Sequence, residues 1–458
     1  LTTVRDPREQ TTEYRLNQYG AAVEVVDPVG GRTRTTWDLE QVVIRERTDA
    51  NGHTTRFDYD VHGNPTRERI AVADPDGTER AYELVTTYWP PEGFEPPFVK
   101  DRVRTRTDRN GHRTELEYDV KGRLLRSSTR VEAADGIAGT VARVHTYYDN
   151  GDLQTTTDPR GTTTAFSYDA FGHLAKVTDP EGETVTAWTA RSLPLARIDK
   201  EGRTTRFEHD VLGRRVRTLL PVVAGEPVAP SHPACPAPND ASASELVCYD
   251  DAARRKTEVD ALGRATVSSY DAEGRLLEVV NAAGGSKRYG YDLAGNKTLE
   301  SSWFDGATAR QETSFAYDPA GRLVLRLEPL GRETRYAYDG VGNVVRETLR
   351  DTGDASFIPR VTEHDYDALN RAIRTRRVLV AEAGTTSVVQ QTWYDGEGNV
   401  VRERDPLGGE RAHRYDALNR RIETVGEAWD RDAHPGDRAR TRYFYDGNGN
   451  LLREVRHT

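Results

Sequence analysis

Residues 270–291 read YDAEGRLLEVVNAAGGSKRYGY, and Tyr291 is followed by Asp292, which opens the same phrase again as YDLAGNKTLE. Other copies of the Tyr-Asp phrase follow at a similar spacing of about 21 residues. A phrase that returns at a fixed spacing in this range is the signature of a repeat architecture. The stretch therefore predicts an array of small, similar units.

The repeated phrase is Tyr-Asp-x-x-Gly, followed by Arg or Asn and then by Leu or Val. Looser copies start at Trp37, Tyr148, Trp188, His209, Tyr249, Tyr366 and Tyr415. We interpret the motif as structural, with no catalytic, cofactor-binding or metal-binding residues among its members. Its clear copies are Tyr59, Asp60, Gly63; Tyr118, Asp119, Gly122; Tyr168, Asp169, Gly172; Tyr270, Asp271, Gly274; Tyr291, Asp292, Gly295; Tyr317, Asp318, Gly321; Tyr338, Asp339, Gly342; Tyr394, Asp395, Gly398; and Tyr445, Asp446, Gly449.

Each unit carries the pattern of a two-stranded hairpin. Thr164, Phe166 and Tyr168 alternate with other residues, and alternate residues share one face of a strand. Asp at the first position and Gly at the fourth suit a type I turn in which the Gly takes a positive φ. A second signal, such as DPRG at 158–161, predicts a looser turn before the next unit. Because one hairpin cannot bury its own aromatic face, neighbouring units must stack.

The whole chain, residues 1–458, is accordingly predicted to be one continuous all-β array of antiparallel repeats. Insertions interrupt it, and the two largest are residues 85–100 and 221–248, both rich in Pro and therefore predicted to be loops. Cys235 and Cys248 lie in the second insertion, where a disulfide would pin the loop. Two ordinary thiols are the alternative.

The composition is polar, with mean hydropathy −0.76, 30% charged residues and net charge −10. Arg residues are spread beside Asp, Glu and Thr, which favours cross-strand ion pairs over a nucleic-acid surface. No apolar run is long enough to span a bilayer. The chain contains no Met and starts at Leu1, which we interpret as an internal piece of a longer polypeptide.

The motif YDxxGRL, followed by DPxGxxTxYxYD, resembles the YD-repeat or RHS-repeat family. The match is clear at 118–124, 270–276 and 317–323, and at 158–169 (DPRGTTTAFSYD). The resemblance implies a long β-sheet that spirals into a hollow shell. In polymorphic toxins and insecticidal toxin complexes such a shell encloses a C-terminal toxic domain, whereas in teneurins a related shell carries adhesion surfaces.

Three functions follow as hypotheses. The first is a non-enzymatic wall that encloses a C-terminal toxin or other cargo of the same polypeptide, in a secreted or cell-surface bacterial protein. The second is an extracellular adhesion or carbohydrate-binding protein whose partners are cell-surface glycans or proteins. The third, an enzyme built on repeats, lacks a sequence signature, because GxSxG, HExxH, GxxxxGK[ST] and CxxC are all absent.

Residues 446–450 resemble the start of a calcium-binding loop. Asp446, Asn448 and Asn450 have the oxygen spacing of the start of an EF-hand loop. Position six is Leu451 where the EF-hand requires Gly, and no Glu follows at position twelve. We therefore expect these residues to serve the turn, and we expect no metal and no cofactor.

Overall fold

The computed structural model describes residues 1–38, 40, 42–89, 101–133, 138–221, 235, 244–304, 310–354, 356–381, 384–427 and 438–457. These residues form 37 β-strands and one short turn of 3-10 helix, Pro329–Gly331. The all-β prediction is confirmed. The loop prediction for the two largest insertions is wrong at their ends, because residues 85–88 belong to the strand Glu79–Tyr88 and residues 244–248 to the strand Ser244–Asp250. The central parts of both insertions, including Phe94 and Phe98, lie outside the described residues.

The strands are short and are numbered along the chain. They are β1 Thr2–Arg5, β2 Thr11–Leu16, β3 Ala22–Val26, β4 Arg32–Asp38, β5 Val43–Thr48, β6 Thr54–Tyr59, β7 Pro65–Ala73, β8 Glu79–Tyr88, β9 Val103–Thr107, β10 Arg113–Tyr118, β11 Leu124–Glu132, β12 Ala138–Tyr147, β13 Leu153–Thr157, β14 Thr163–Tyr168, β15 Leu174–Asp179, β16 Gly182–Trp188, β17 Pro194–Ile198, β18 Thr204–His209, β19 Arg215–Leu219, β20 Ser244–Asp250, β21 Arg255–Val259, β22 Ala265–Tyr270, β23 Leu276–Val280, β24 Ser286–Tyr291, β25 Lys297–Trp303, β26 Gln311–Tyr317, β27 Leu323–Leu327, β28 Arg332–Tyr338, β29 Val344–Asp351, β30 Arg360–Tyr366, β31 Ala372–Ala381, β32 Gly384–Tyr394, β33 Val400–Arg404, β34 Glu410–Tyr415, β35 Arg421–Glu427, β36 Arg438–Tyr445 and β37 Leu451–His457.

All 37 strands belong to one sheet, in which each strand pairs antiparallel with the next strand in sequence. Within the described residues, β1 pairs only with β2 and β37 only with β36. The sheet is therefore a ribbon whose two long edges are rows of turns. One edge carries the Tyr-Asp turns, and the other carries the turns between units.

The two rows of turns share one geometry, so the prediction of a looser second turn is wrong. In the Tyr-Asp turn at Asp119, the Asp119 N–H donates to the Arg123 carbonyl at 2.9 Å and the Gly122 N–H donates to the Asp119 carbonyl at 3.0 Å. At Asp158 the same two bonds, to Thr162 and from Gly161, are both 2.9 Å. In both turns the Asp carboxylate also accepts the N–H four residues on, because a short acidic side chain folds back onto its own turn.

The positive φ predicted for the fourth turn position is present. Gly122 has φ 77° and Gly63 has φ 80°. Where Asn replaces Gly, the backbone keeps the same conformation, with φ 60° at Asn370 and 59° at Asn419. Asn tolerates this left-handed conformation better than other residues with a side chain.

What distinguishes the Tyr-Asp turn is a β-bulge beside it. Tyr317 pairs with Leu323, and the register shifts between Ala316 and Tyr317. The same shift recurs beside nearly every Tyr-Asp turn, for example at Tyr118 and Tyr445. A bulge leaves a ladder group unpaired. Here the Tyr338 hydroxyl of the next unit donates at 2.6 Å to the carbonyl of Leu323, the residue that lies opposite Tyr317 at the bulge.

Two looser copies of the motif differ from the prediction. The aromatic residue at the bulge of β12 is Tyr147, and Tyr148 takes the place of Asp in the turn. The pairing of β20 with β21 runs through Tyr249 without a register shift. Tyr147 is also the residue whose hydroxyl reaches the Leu124 carbonyl, at 2.8 Å.

The Arg of the motif joins one unit to the next. Arg322 donates from Nε to the Asp318 carboxylate at 2.7 Å and from Nη1 to the Asp339 carbonyl at 3.0 Å. Its guanidinium carbon lies 4.8 Å from the centre of the Tyr338 ring, a cation–π distance. In the consensus Tyr-Asp-x-x-Gly-Arg, the Arg therefore acts as a clamp: it bonds to its own turn and to the next one, and so fixes the spacing between neighbouring turns.

Arg residues on the strands form cross-strand ion pairs. Glu46 and Arg56 lie opposite each other on β5 and β6, with 2.7 Å between Oε1 and Nε. Glu278 and Arg288 repeat the arrangement on β23 and β24 at 2.7 Å. These pairs are exposed, so each contributes about 0.2–1 kcal/mol to stability.

The sheet is a single layer with water on both faces. The accessible surface is 27735 Å², whereas a compact monomer of this mass exposes about 17,000 Å². Among the described residues only ten hydrophobic side chains are buried. In one buried cluster a disulfide joins Cys235 to Cys248, with 5.6 Å between their Cα atoms, beside Leu246 and Val259.

Candidate functional site: the seam between two coils

The ribbon winds back onto itself, and residues far apart in sequence meet edge to edge. Hydrogen bonds from side chains join residues that lie 285 to 312 positions apart in the sequence. The two extremes are the bond from Asn110 to Asp395 and the bond from Tyr82 to Tyr394. The turn between β1 and β2 meets the turn between β26 and β27, and the turn between β13 and β14 meets that between β36 and β37. One coil therefore takes about two dozen strands.

We call this line of contact the seam. On the first coil it consists of turns between units, and on the second coil it consists mainly of Tyr-Asp turns. The turns that contribute to it begin at Asp6, Asp27, Asp49, Asp74, Asp108 and Asp158 on the first coil, and at Asp318, Asp339, Asp367, Asp395 and Asp446 on the second.

Three Asn side chains connect the coils. Asn110 Nδ2 donates to the Asp395 carboxylate at 2.9 Å, while Asn110 Oδ1 accepts the Gly396 N–H at 2.8 Å. Asn51 does the same with Asp339 and Gly340, at 3.0 Å for both bonds. Asn448, which projects from the second coil, donates to the Asp158 carboxylate. An amide both donates and accepts, so it pairs with a carboxylate and an N–H together.

Three Gly residues let the backbones approach across the seam. A Cβ at Gly340 would lie 2.7 Å from the Ala50 carbonyl oxygen. At Gly396 it would lie 2.5 Å from Arg109 Cβ, and at Gly447 it would lie 2.8 Å from Pro159 Cβ. None of the three has a left-handed φ, so the reason for Gly is the close contact and not the backbone conformation.

Sequence reasoning missed these Gly residues, although a signal was present. Of the nine clear motif copies, only those at Tyr338, Tyr394 and Tyr445 have Gly directly after Tyr-Asp. The other copies carry Val, Ala, Leu or Pro at that position. Gly at the third motif position therefore indicates a turn that meets another coil.

Apolar packing reinforces the seam at one place. Ile70, Val72 and Tyr82 of the first coil form a buried cluster with Ala368, and Leu369 packs against it. The Tyr82 hydroxyl donates to the Tyr394 carbonyl at 3.3 Å. Beside this cluster a cleft of ≈ 520 Å³ remains between the coils, lined in part by Arg47, His53 and Glu68.

Three carboxylates that accept hydrogen bonds across the seam, Asp158, Asp339 and Asp446, have lowered pKa values. The hydrogen bond from the Asn448 amide is the main cause for Asp158. Burial raises the pKa of Asp339, but hydrogen bonds from the Asn343 and Asn51 side chains and from two N–H groups more than offset it. Both carboxylates are therefore held in the charged form.

The seam is expected to open only in acid. A carboxylate whose pKa is lowered by folding contributes stability above its ordinary pKa, and this stability is lost as pH falls through the lowered value. We predict an unchanged seam from pH 8 to about pH 5 and opening below about pH 4. Hydrogen exchange of the Arg109 N–H, which donates to Glu397 at 3.0 Å, measures the opening. Opening between pH 5 and 7 would instead implicate His residues.

The motif residues do not converge on a reactive centre. The copies at Tyr59, Tyr118, Tyr168 and Tyr270 lie on the edge of the first coil opposite to the seam, whereas those from Tyr317 onward line the seam. Throughout the described ranges, no three His, Cys, Asp or Glu side chains come together as they would around a metal ion. In the same ranges, no helix is long and apolar enough to cross a membrane.

Contacts within the turn occupy the carboxylate of Asp446, the first of the three residues with calcium-like spacing. The Asp446 carboxylate accepts the N–H groups of Asn448 and Asn450, each at 2.9 Å. The Asn450 amide donates to the same carboxylate at 2.9 Å. The oxygen of Asp446 that a cation would need is thus already engaged by donors of the turn.

The matches to known proteins follow the repeats. The RHS Repeat family model matches residues 43–79, 147–184, 249–286, 270–308, 317–354 and 394–428. A curated relative, the double-stranded DNA deaminase toxin A of Burkholderia cenocepacia (strain H111), is 25% identical over 470 residues. That alignment covers 95% of this chain and 28% of the relative.

Two solved structures are similar at low identity. The crystal structure of TcdB2-TccC3 without its hypervariable C-terminal region is 12% identical with TM-score 0.42, over 97% of this chain and 35% of that one. The Photorhabdus luminescens Tc holotoxin pore is 14% identical with TM-score 0.35, over 100% of this chain and 30% of that one. The chain thus spans about a third or less of the length of these proteins. The chain therefore contains six stretches that match the RHS Repeat model, and together they cover just under half of its residues.

Proposed function

We propose that this chain is a non-enzymatic segment of the wall of an RHS-type β-shell, which encloses and shields a toxin or other cargo located C-terminally in the same polypeptide. The observation that carries the proposal is the seam. Two coils of a single-layer sheet that touch edge to edge make a continuous wall, because hydrogen bonds close the gap between them. The toxin named for the Burkholderia relative supports a toxin as the cargo.

The size of one coil supports enclosure. Neighbouring strands lie about 4.8 Å apart, so about two dozen of them span roughly 115 Å, and a round coil of that length is about 37 Å across. Side chains on the inner face leave a space about 25 Å wide. A helix is about 10–12 Å in diameter, so the interior holds a polypeptide but restricts its folding.

The adhesion or carbohydrate-binding alternative requires contacts carried by the Pro-rich insertions or exposed aromatic rings in the repeats. The described residues give little support to either. The hydroxyls of Tyr291, Tyr317 and Tyr338 each donate to a backbone carbonyl of the preceding unit at 2.6–2.8 Å. Of the insertion aromatics, Tyr88 bonds to the Pro65 carbonyl and Trp89 lies beneath Arg104. These contacts tie the rings to the wall, which favours a structural role for them over a glycan-binding one.

Limited proteolysis of the full natural polypeptide tests the proposal. We expect peptides located C-terminal to the repeats to stay intact until denaturant unfolds the sheet, because the wall excludes the protease. The same C-terminal segment, expressed alone, serves as the control and should be cleaved at once. If that segment is trimmed rapidly while the repeats survive, the wall encloses nothing and the proposal fails.

We further propose that the protein lies outside the bacterial cell or at its surface, where such a shield would be needed.

A further inference from the structure

All three Asn residues that connect the coils are followed by Gly. The pairs are Asn51-Gly52, Asn110-Gly111 and Asn448-Gly449. Each Gly holds the fourth position of its turn, with φ between 86° and 90°. Each of the three Asn side chains that connect the coils therefore belongs to an Asn-Gly dipeptide in the same kind of turn.

An Asn side chain that precedes Gly can lose its amide. The backbone nitrogen of Gly attacks Asn Cγ, the new N–Cγ bond forms, and the Cγ–Nδ2 bond breaks to release ammonia, which takes up the proton of the backbone amide. Water then opens the resulting succinimide to Asp or isoaspartate. Gly permits the attack because no Cβ obstructs its nitrogen. Water is the only other reactant.

The closed seam restrains both reacting groups. The Gly111 nitrogen is held by its hydrogen bond to the Asp108 carbonyl at 3.0 Å, and the Asn110 side chain is held by Asp395 and Gly396. Gly52 is held in the same way by Asp49 at 3.1 Å. Attack on Cγ requires the side chain to rotate out of these contacts, so the reaction needs an open seam.

We propose that Asn51, Asn110 and Asn448 are deamidation sites that make opening of the seam irreversible. After deamidation, a carboxylate replaces the amide that faces Asp395, Asp339 or Asp158. A donor at hydrogen-bond distance becomes a like charge, which opposes reclosure. This inference rests on the seam geometry. It goes beyond the shielding function, because it makes opening of the seam a one-way step.

A fourth Asn-Gly pair, Asn150-Gly151, provides a control for the three at the seam. Asn150 also precedes Gly in a turn, but among the described residues its side chain bonds only within that turn, donating to Asp152 at 2.7 Å. The Gly151 N–H donates to the Tyr148 carbonyl at 3.0 Å, as in the seam turns. Asn150 therefore shares the turn and lacks the contact across the seam.

The test compares native with urea-unfolded full-length protein during incubation at mildly alkaline pH, using peptide-resolved mass spectrometry. Two seam hydrogen bonds of about 1 kcal/mol each predict that Asn110 and Asn51 convert about thirtyfold more slowly in the native protein. Asn150 should show a clearly smaller difference. Equal native and unfolded rates at the seam residues, or protection of Asn150 as strong as theirs, would overturn the proposal.

The second arm tests the direction of the switch. A triple variant, Asn51→Asp, Asn110→Asp and Asn448→Asp, reproduces the deamidated state, and Asn150→Asp is its control. We expect fast hydrogen exchange of the Gly396 N–H in the triple variant only, with unchanged strand content by circular dichroism. Slow exchange in a folded triple variant would contradict irreversibility. If the triple variant does not fold, the same readout on native protein aged until the seam residues have converted decides the question.

Discussion

Replacing Asp367 by Ala is expected to destabilise its hairpin by about 3–5 kcal/mol, because the change leaves the largely buried charge of Arg371 without its partner. The Asp367 side chain is 1% exposed and its partner Arg371 is 14% exposed. Asp367 accepts the Leu369 and Arg371 N–H groups at 2.9 and 3.0 Å, and Arg371 Nε at 2.7 Å. Arg371 in turn bonds to the Asp395 carbonyl and lies 4.9 Å from the Tyr394 ring centre.

An exposed copy of the same clamp is the control for this prediction. Asp260 accepts the Leu262 and Arg264 N–H groups at 2.9 Å and Arg264 Nε at 2.7 Å, but the two side chains are 36% and 67% exposed. Asp260→Ala should cost about 1 kcal/mol or less, since water replaces the lost partner. Hydrogen exchange of β30 and β31, compared with β21 and β22, measures both losses. Similar losses in the two variants would mean that burial does not set the strength of the clamp.

The triple variant Gly340→Ala, Gly396→Ala and Gly447→Ala is expected to separate the coils while leaving the strands intact. Each added Cβ would lie 2.5–2.8 Å from an atom of the opposite coil. Overpacking of this kind costs about 1–3 kcal/mol per site, which exceeds the roughly 1 kcal/mol of a typical hydrogen bond. Small-angle scattering should show a larger radius of gyration, and the Arg109 N–H should exchange faster.

Gly139→Ala provides the matched control. Gly139 lies in β12, a Cβ there would meet nothing within 4 Å, and its φ is not left-handed. This variant should keep the wild-type radius and exchange rates. If the triple variant also keeps them, the seam tolerates the extra methyl groups, and close backbone approach is not what holds the coils together.

Much of the local structure was predictable from the sequence because it depends on residues close together in the chain. The alternation of Thr164, Phe166 and Tyr168 predicted strand β14, and Asp-x-x-Gly predicted the turns. The same turn geometry holds where Asn370 and Asn419 stand in place of Gly, with positive φ at both. The error at Tyr148 arose because Tyr147 and Tyr148 are both aromatic, and only the position of the bulge decides between them.

The coil and the seam were decided by the tertiary structure. The number of strands in one coil follows from the small twist between neighbouring strands, accumulated over the whole ribbon, and no local pattern encodes that sum. Asn110 and Gly396 meet only because this sum brings turns 286 residues apart to the same place. The sequence by itself determined the hairpin, its turns and its repetition, since those contacts are local. Which turns touch, and hence why Gly340, Gly396 and Gly447 have no side chain, depended on where the ribbon returns to its own edge.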